Sequence, residues 1–386
     1  MDFKGLPGIR AVPSFWRKHL GSLRLKSNFP RLRSGAILFT LMTMHSPDSP
    51  LLLKRYLIHL LLLGIGLLYS CEQSRDQDGT VNPASQSQEM QPQSDFSHYP
   101  YLMVLGVAQD AGYPQAGCEK SCCQTAWETP DSHRSPTCLA LVDPTTQQKW
   151  LFEATPELPQ QLQRLNQEQN SGDGHLPNGI FITHAHIGHY TGLMYLGREV
   201  QGAQQVPVYT MPRMGEFLRN NGPWSQLVSL ENIALQPLKH DSTLQLTPSL
   251  SVTPFLVPHR DEFSETVGYR IQSDKQAALF IPDINKWHLW DRDLAEQLKT
   301  VDLAFVDATF FKAGELPGRN MDEIPHPFVA ETITLLTDLP ASEKAKVRFI
   351  HFNHTNPLLR DKSAREEVTN SGFAIAEEGK RYSLGK

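Results

Sequence analysis

A chain of 386 residues leaves room for one large domain or two ordinary ones. With 40% hydrophobic and 20% charged residues it has the composition of a soluble globular protein with some apolar excess, and its 28 prolines and 25 glycines argue against a helical bundle. A formal charge of -5, in which neither sign dominates, points away from a nucleic-acid or other polyanion partner and leaves a solvated, mildly acidic surface.

The first hundred residues differ from the rest. Residues 1–43 are basic (Arg10, Arg17, Lys18, Arg24, Lys26, Arg31, Arg33) and lack a sustained hydrophobic period. Lys54 and Arg55 then precede an apolar run from Tyr56 to Leu68, which closes in Leu68-Tyr69-Ser70-Cys71. A positive segment, a short apolar run and a small residue before the break make a secretory signal. The run is short for a spanning helix, which needs about 20 apolar residues. Cysteine directly after Leu-Tyr-Ser resembles the bacterial lipobox, so residues 1–71 are expected to be a basic leader plus a lipoprotein-type signal. On that reading Cys71 is the lipid anchor, Met42 and Met44 are candidate starts, and the folded part lies in the cell envelope outside the cytoplasm. An uncleaved single-pass anchor is the alternative. Residues 72–98 are rich in Gln, Ser, Asp and Pro and almost free of aliphatic side chains, the composition of a flexible tether. Residues 99–386 are left as one domain of catalytic size.

That domain opens with an apolar run at 101–107, followed by strand-like runs at 138–142 and 150–152. A helix is expected over 156–166, with Pro156 in its first turn and Leu158, Leu162 and Leu165 on one face. Further strands are expected at 179–183, 206–210, 251–257, 267–272, 277–282, 302–307 and 346–351, with helices around 288–299 and 328–338. Strands interspersed with helices give an α/β layered fold, with titratable residues falling just past strand ends, where open sheets place their sites. The stretch 201–249, with Met211, Met214 and Trp224, reads as packed core in preference to a lid.

The strand at 179–183 runs into Thr183-His184-Ala185-His186-Ile187-Gly188-His189. Three imidazoles within six residues on a strand-to-helix turn converge easily on a metal ion and are hard to explain as packing. Further donors stand at later strand ends: His259 after Val257-Pro258, Asp283 after Leu279-Phe280-Ile281-Pro282, and His351 and His354 after Phe349-Ile350. This order resembles that of the metallo-β-lactamase superfamily, which implies an αββα sandwich. The branch it most resembles is that of the pyrroloquinoline-quinone biosynthesis protein B, through Val104-Leu105-Gly106 with Tyr113-Pro114-Gln115 and the cysteines from Cys118. Ser264-Glu265-Thr266-Val267-Gly268, Val306-Asp307-Ala308-Thr309-Phe310 and Asn353-His354-Thr355-Asn356-Pro357 add to the likeness.

By that resemblance His184, His186 and His259 would hold one metal, and His189 and His354 a second, with Asp283 bridging. One departure stands out: the superfamily carries an aspartate before the last histidine of the cluster, and here that position is Gly188. Asp110, in the loop after the first strand, and Asp307 are the conceivable replacements, although a supporting role fits each better; His351 is expected in a supporting role too. His326 is a weaker pocket candidate, and an ordinary helix-start residue fits it better. Cys118, Cys122, Cys123 and Cys138 suit a structural zinc, disulfides or free thiols.

The expected chemistry is hydrolysis of a small-molecule ester, lactone, amide or phosphodiester by water activated on one or two zinc ions, with iron or manganese as alternatives. Asp283 would bind metal and position the water, and His189 would position substrate or act as acid or base. A metal oxygenase like the quinone-biosynthesis branch and a non-catalytic metal carrier are the competing readings, the latter favoured by Gly188.

Overall fold

The computed structural model describes residues 96–169 and 176–385, which fall within one compact unit, Glu89–Lys386. The basic leader, the lipobox with Cys71 and most of the tether lie outside the described residues. No helix among the described residues is long and apolar enough to cross a membrane.

Among the described residues, fourteen strands form two seven-stranded sheets. The first contains β1 (Tyr101–Gly106), β2 (Cys138–Asp143), β3 (Gln148–Phe152), β4 (Gly179–Phe181), β5 (Val206–Thr210) and β6 (Ile233–Pro237). The second contains β7 (Leu244–Thr247), β8 (Leu250–Leu256), β9 (Val267–Ser273), β10 (Ala277–Ile281), β11 (Leu303–Asp307), β12 (Val347–Ile350) and β13 (Ala374–Ile375). The last strand, β14 (Arg381–Ser383), returns to the first sheet and pairs with β1. Each sheet begins with antiparallel pairs and ends in a parallel run, β3 to β6 in one and β10 to β13 in the other. The parallel runs matter for the site, because they set several strand carboxyl ends along one edge of each sheet.

Strand period explains why the sequence makes two apolar layers. Leu102 and Val104 of β1 and Leu139 and Leu141 of β2 join the core between the sheets. Their neighbours Met103, Leu105 and Ala140 point the other way, into a second core with Leu158, Leu162 and Leu165 of the helix Leu158–Gln169. With both faces covered, these strands read as continuous apolar runs. Aromatic rings lock the sheets together: Phe152 stacks on Phe181 at 5.0 Å, and Tyr269 meets them edge-on at 5.4 and 5.5 Å. Such pairs add about 0.5–1.5 kcal/mol each beyond their buried area.

The helical expectations hold in type but shift in extent. Pro156 lies before the helix that starts at Leu158, so it does not occupy the first turn. The expected helix at 288–299 is a short 3-10 turn, Trp287–Leu289, and a separate helix, Leu294–Leu298. The 201–249 stretch carries β5, two helices, β6 and β7, with Met211 and Met214 buried, so it completes the sheets.

Candidate metal centre

The histidine cluster sits where β4 gives way to the short helix Ile187–Tyr190. Three contacts from other elements hold that turn. Tyr269 donates its hydroxyl to the Ile182 carbonyl (2.5 Å), Val267 N donates to the Thr183 carbonyl (3.1 Å), and Ala185 N donates to Ser264 Oγ (2.8 Å). The Ser264-to-Gly268 motif is thus a clamp on the cluster. Gly192 is required by close approach, since a Cβ there would lie 2.0 Å from the Thr155 carbonyl oxygen.

Four potential ligands, His184, His186, His259 and Asp283, bring one donor atom each to within 4.8 Å of the others. His184 Nε2 lies 2.8 Å from His186 Nδ1, and His259 Nε2 lies 3.3 Å from the same atom. Asp283 Oδ2 is 3.3 Å from His184 Nε2 and 3.2 Å from His259 Nε2. A second group of three, Asp110, His189 and His351, adjoins it, with His189 Nε2 3.8 Å from Asp283 Oδ2.

The hydrogen bonds on the far side of each ring decide its tautomer. Thr183 Oγ1 donates to Glu153 Oε1 (2.6 Å), so it must accept from His184 Nδ1 (2.9 Å). Thr309 Oγ1 likewise donates to Asp307 Oδ1 (2.7 Å) and accepts from His351 Nδ1 (3.0 Å). His189 Nδ1 donates to Glu153 Oε1 (3.2 Å), His259 Nδ1 to Asn285 Oδ1 (3.2 Å) and His186 Nε2 to Glu262 Oε2 (3.2 Å). All five imidazoles therefore tie one N–H outward and aim the other ring nitrogen inward, the arrangement that orients metal-binding histidines.

These inward nitrogens face one another and a carboxylate. His189 Nε2 and His351 Nε2 are buried and make no hydrogen bond. Acceptors packed this closely repel unless a cation lies among them, so the donor set fits a metal ion of the imidazole-and-carboxylate class. Burial holds His184 well below the usual histidine range and His351 at about 4, which keeps their lone pairs free. Burial also acts on His189, but the Glu153 carboxylate outweighs it and lifts the group to about 9, so without a cation its inward Nε2 carries a proton that a bound ion would displace. Against the effect of burial, His259 and His326 hold Asp283 well below the usual carboxylate range.

Three expectations are corrected here. His354 does not join His189; it groups with Cys118, Cys122 and Cys123, all four offering a donor atom within 4.8 Å. His351 takes the place beside His189 instead. Strand alternation, which sets His351 aside, fails there because β12 ends at Ile350 and His351 has φ 72, a left-handed turn to which period two does not apply; His354 comes from the resemblance. Cys138 is likewise not part of the cysteine group. It lies in β2, facing the helix-covered side of the sheet, with Sγ near the Leu139 and Glu153 carbonyls.

In the cysteine group, Cys118 Sγ is 3.7 Å from Cys122 Sγ, and none of the described cysteines forms a disulfide. His354 Nδ1 meets Asn353 Oδ1 at 3.1 Å, which directs its Nε2 lone pair away from that amide. Burial pushes the Cys123 thiol up to about 12, so without a cation it keeps its proton. Three thiols and one imidazole suit a closed, tetrahedral structural zinc.

His326 lies closer to the chemistry than a helix-start residue would. Its Nδ1 is 2.9 Å from Asp307 Oδ2 and 3.2 Å from Asp283 Oδ1. Burial opposes charge on this ring, yet Asp307 and Asp283 outweigh it and raise the group to about 10. Asp307 binds Ile284 N, Thr309 and His326, supporting groups around the centre. Glu153 and Glu262 carry two of the histidines and were not singled out from sequence; an acid directly after the apolar strand β3 was the available signal for Glu153. A separate groove of about 970 Å³ contains none of these histidines, and its arginines Arg164 and Arg365 are paired with Glu378 and Glu377.

Residues 148–352, which carry every histidine of the centre and Asp283, match the model of the beta-lactamase superfamily domain. The chain belongs to the beta-lactamase superfamily. It is 26% identical over 310 residues to the coenzyme PQQ synthesis protein B of Methylorubrum extorquens strain PA1, covering 74% of this chain and all of that protein. The corresponding protein of Rhizobium meliloti strain 1021 is 25% identical over 306 residues, 73% of this chain and 97% of its own length. Among solved structures, Zn(2+)-bound PqqB from Methylobacterium extorquens superposes with a TM-score of 0.62 at 23% identity, covering 74% of this chain and all of that one. A diphosphatase from the PhnP family follows at 0.51 and 20%, covering 73% of this chain and 96% of that one. These superpositions speak to the fold.

Proposed function

We propose that the protein is a metal-dependent hydrolase acting on a small molecule with an ester, lactone, amide or phosphodiester bond. The observation that carries this reading is the set of five imidazoles with one N–H each tied outward and the second ring nitrogen turned inward around Asp283. Zinc bound there would lower the pKa of a water molecule to about 7 and supply hydroxide at neutral pH. Asp283 orients that water, with one oxygen towards His184 and His259 and the other towards His326. His326, bracketed by Asp307 and Asp283, holds a proton for the leaving group. His189 is fixed by Glu153 and serves as a ligand in this scheme, not as the acid or base. A Cys118, Cys122, Cys123 and His354 zinc serves structure alone.

The test is a panel of esters, lactones, amides and phosphodiesters offered to the zinc-loaded chain and to His259→Ala. Turnover by the former and none by the latter is expected. If the zinc-loaded protein hydrolyses nothing above the variant's background, the hydrolase reading fails.

The likeness along the full length of coenzyme PQQ synthesis protein B favours a second reading, an iron-dependent oxidation in quinone-cofactor synthesis. Iron retained in the centre together with substrate-dependent dioxygen uptake would put it first. Cys71 is further proposed as a lipid anchor holding the domain in the cell envelope. Cys71→Ser should move the protein to the soluble fraction, and a variant still lipid-labelled and membrane-bound would refute it.

A further inference from the structure

The cluster lacks the aspartate that the superfamily pattern places before its last histidine, and the structure shows what occupies that space. A Cβ built on Gly188 would lie 2.4 Å from Asp110 Cα and 2.9 Å from both the Asp110 carbonyl oxygen and Oδ1. Asp110 thus fills the volume that a side chain at 188 would need. Its own backbone has φ 46, a left-handed conformation that aspartate tolerates better than most residues. The loop is fixed, not loose. Gln109 N donates to the Phe352 carbonyl (2.8 Å) and Phe352 N to the Val107 carbonyl (2.8 Å), pinning residues 107–109 against the segment that follows His351.

The independent sign of a ligand is the pair of orphaned nitrogens. His189 Nε2 and His351 Nε2 are buried without a hydrogen-bond partner, their rings 5.3 Å apart, and Asp110 offers a carboxylate oxygen within 4.8 Å of them. The three residues also stand beside Asp283, whose Oδ2 is 3.8 Å from His189 Nε2.

We propose that Asp110 replaces the missing cluster aspartate and, with His189, His351 and a shared Asp283, forms a second divalent transition-metal site. The carboxylate has moved from the cluster helix to the loop after β1, and Gly188 is the residue that lets that loop approach. The proposal rests on the metal reading of the histidine centre.

The test is cobalt(II) titration of the chelator-stripped full chain, counting ions and recording the visible spectrum. Thiolate-to-cobalt charge-transfer absorption reports the cysteine site separately. The wild type should take up two ions beyond the thiolate-bound one, and Asp110→Asn, nearly isosteric and suited to the same φ, should take up one. Gly188→Ala, whose methyl displaces the loop, should also lose the second ion while keeping the first. If Asp110→Asn fills both sites as the wild type does, the proposal is overturned. It is also overturned if wild type and variant each bind one, and the metal reading then survives. A wild type that binds cobalt only through thiolates overturns both.

Discussion

The histidine centre and the cysteine group, reached through the same two loops, hold their donors in opposite ways. At the centre each imidazole is backed by a second residue, such as Glu153, Thr309 or Asn285, which fixes its tautomer. In the cysteine group the thiols come from one short stretch, Cys118 to Cys123, and His354 meets the side chain of its neighbour Asn353. The first arrangement suits an ion whose coordination would change during a reaction, and the second suits an ion that would stay in place. The two are also linked. Cys118 to Cys123 follow Asp110 through the loop that leads into the helix Ser121–Glu128, and His354 follows His351, so an ion among the cysteines would staple together the two segments that carry Asp110 and His351.

The largest effect should come from removing a centre ligand. His184→Ala and His259→Ala should each abolish turnover and lower metal content, while the thiolate-bound ion persists. Metal analysis showing unchanged content in both would mean that the four-residue group is not a metal site.

Cys123→Ser should lower thermal stability instead. A ligand present at a thousandfold above its Kd adds about 4 kcal/mol to stability, so up to about that much is lost when the site is broken. Through the staple it should also weaken the second ion of the centre. A thermal melt unchanged by the substitution, in zinc-replete buffer, would show that the cysteine group holds nothing.

Glu153→Gln removes the carboxylate behind His189 and should reduce affinity for the centre's second ion about 10- to 100-fold, the usual cost of losing such a partner. Glu262→Ala, which frees His186 Nε2 on the exposed rim, should cost less than Glu153→Gln, because water replaces an exposed acceptor. Equal losses in a metal titration of the two variants would contradict the distinction between buried and rim support.

Much of this was legible in the sequence, for physical reasons. His184, His186 and His189 are local and follow an apolar run, and His259 and Asp283 end runs whose period is clear. The sandwich was legible because β1, β2, β10 and β11 are buried on both faces and read as unbroken apolar stretches. The edge strands β6 and β7 were not, because they are half exposed and mixed in composition. His351 was set aside on strand alternation, which a left-handed residue breaks, and His354 stood in its place through the resemblance alone. Asp110 was visible only as a conceivable substitute, since its proximity to Gly188 depends on pairing across the loop to Phe352.

The most direct measurement of the central claim is a crystal structure of the zinc-loaded protein with anomalous data at the zinc edge. The account expects a peak bounded by His184 Nε2, His186 Nδ1, His259 Nε2 and Asp283. A second is expected among Asp110, His189 and His351, and a third among the cysteines. A zinc peak at the cysteines with none among the histidines would contradict it.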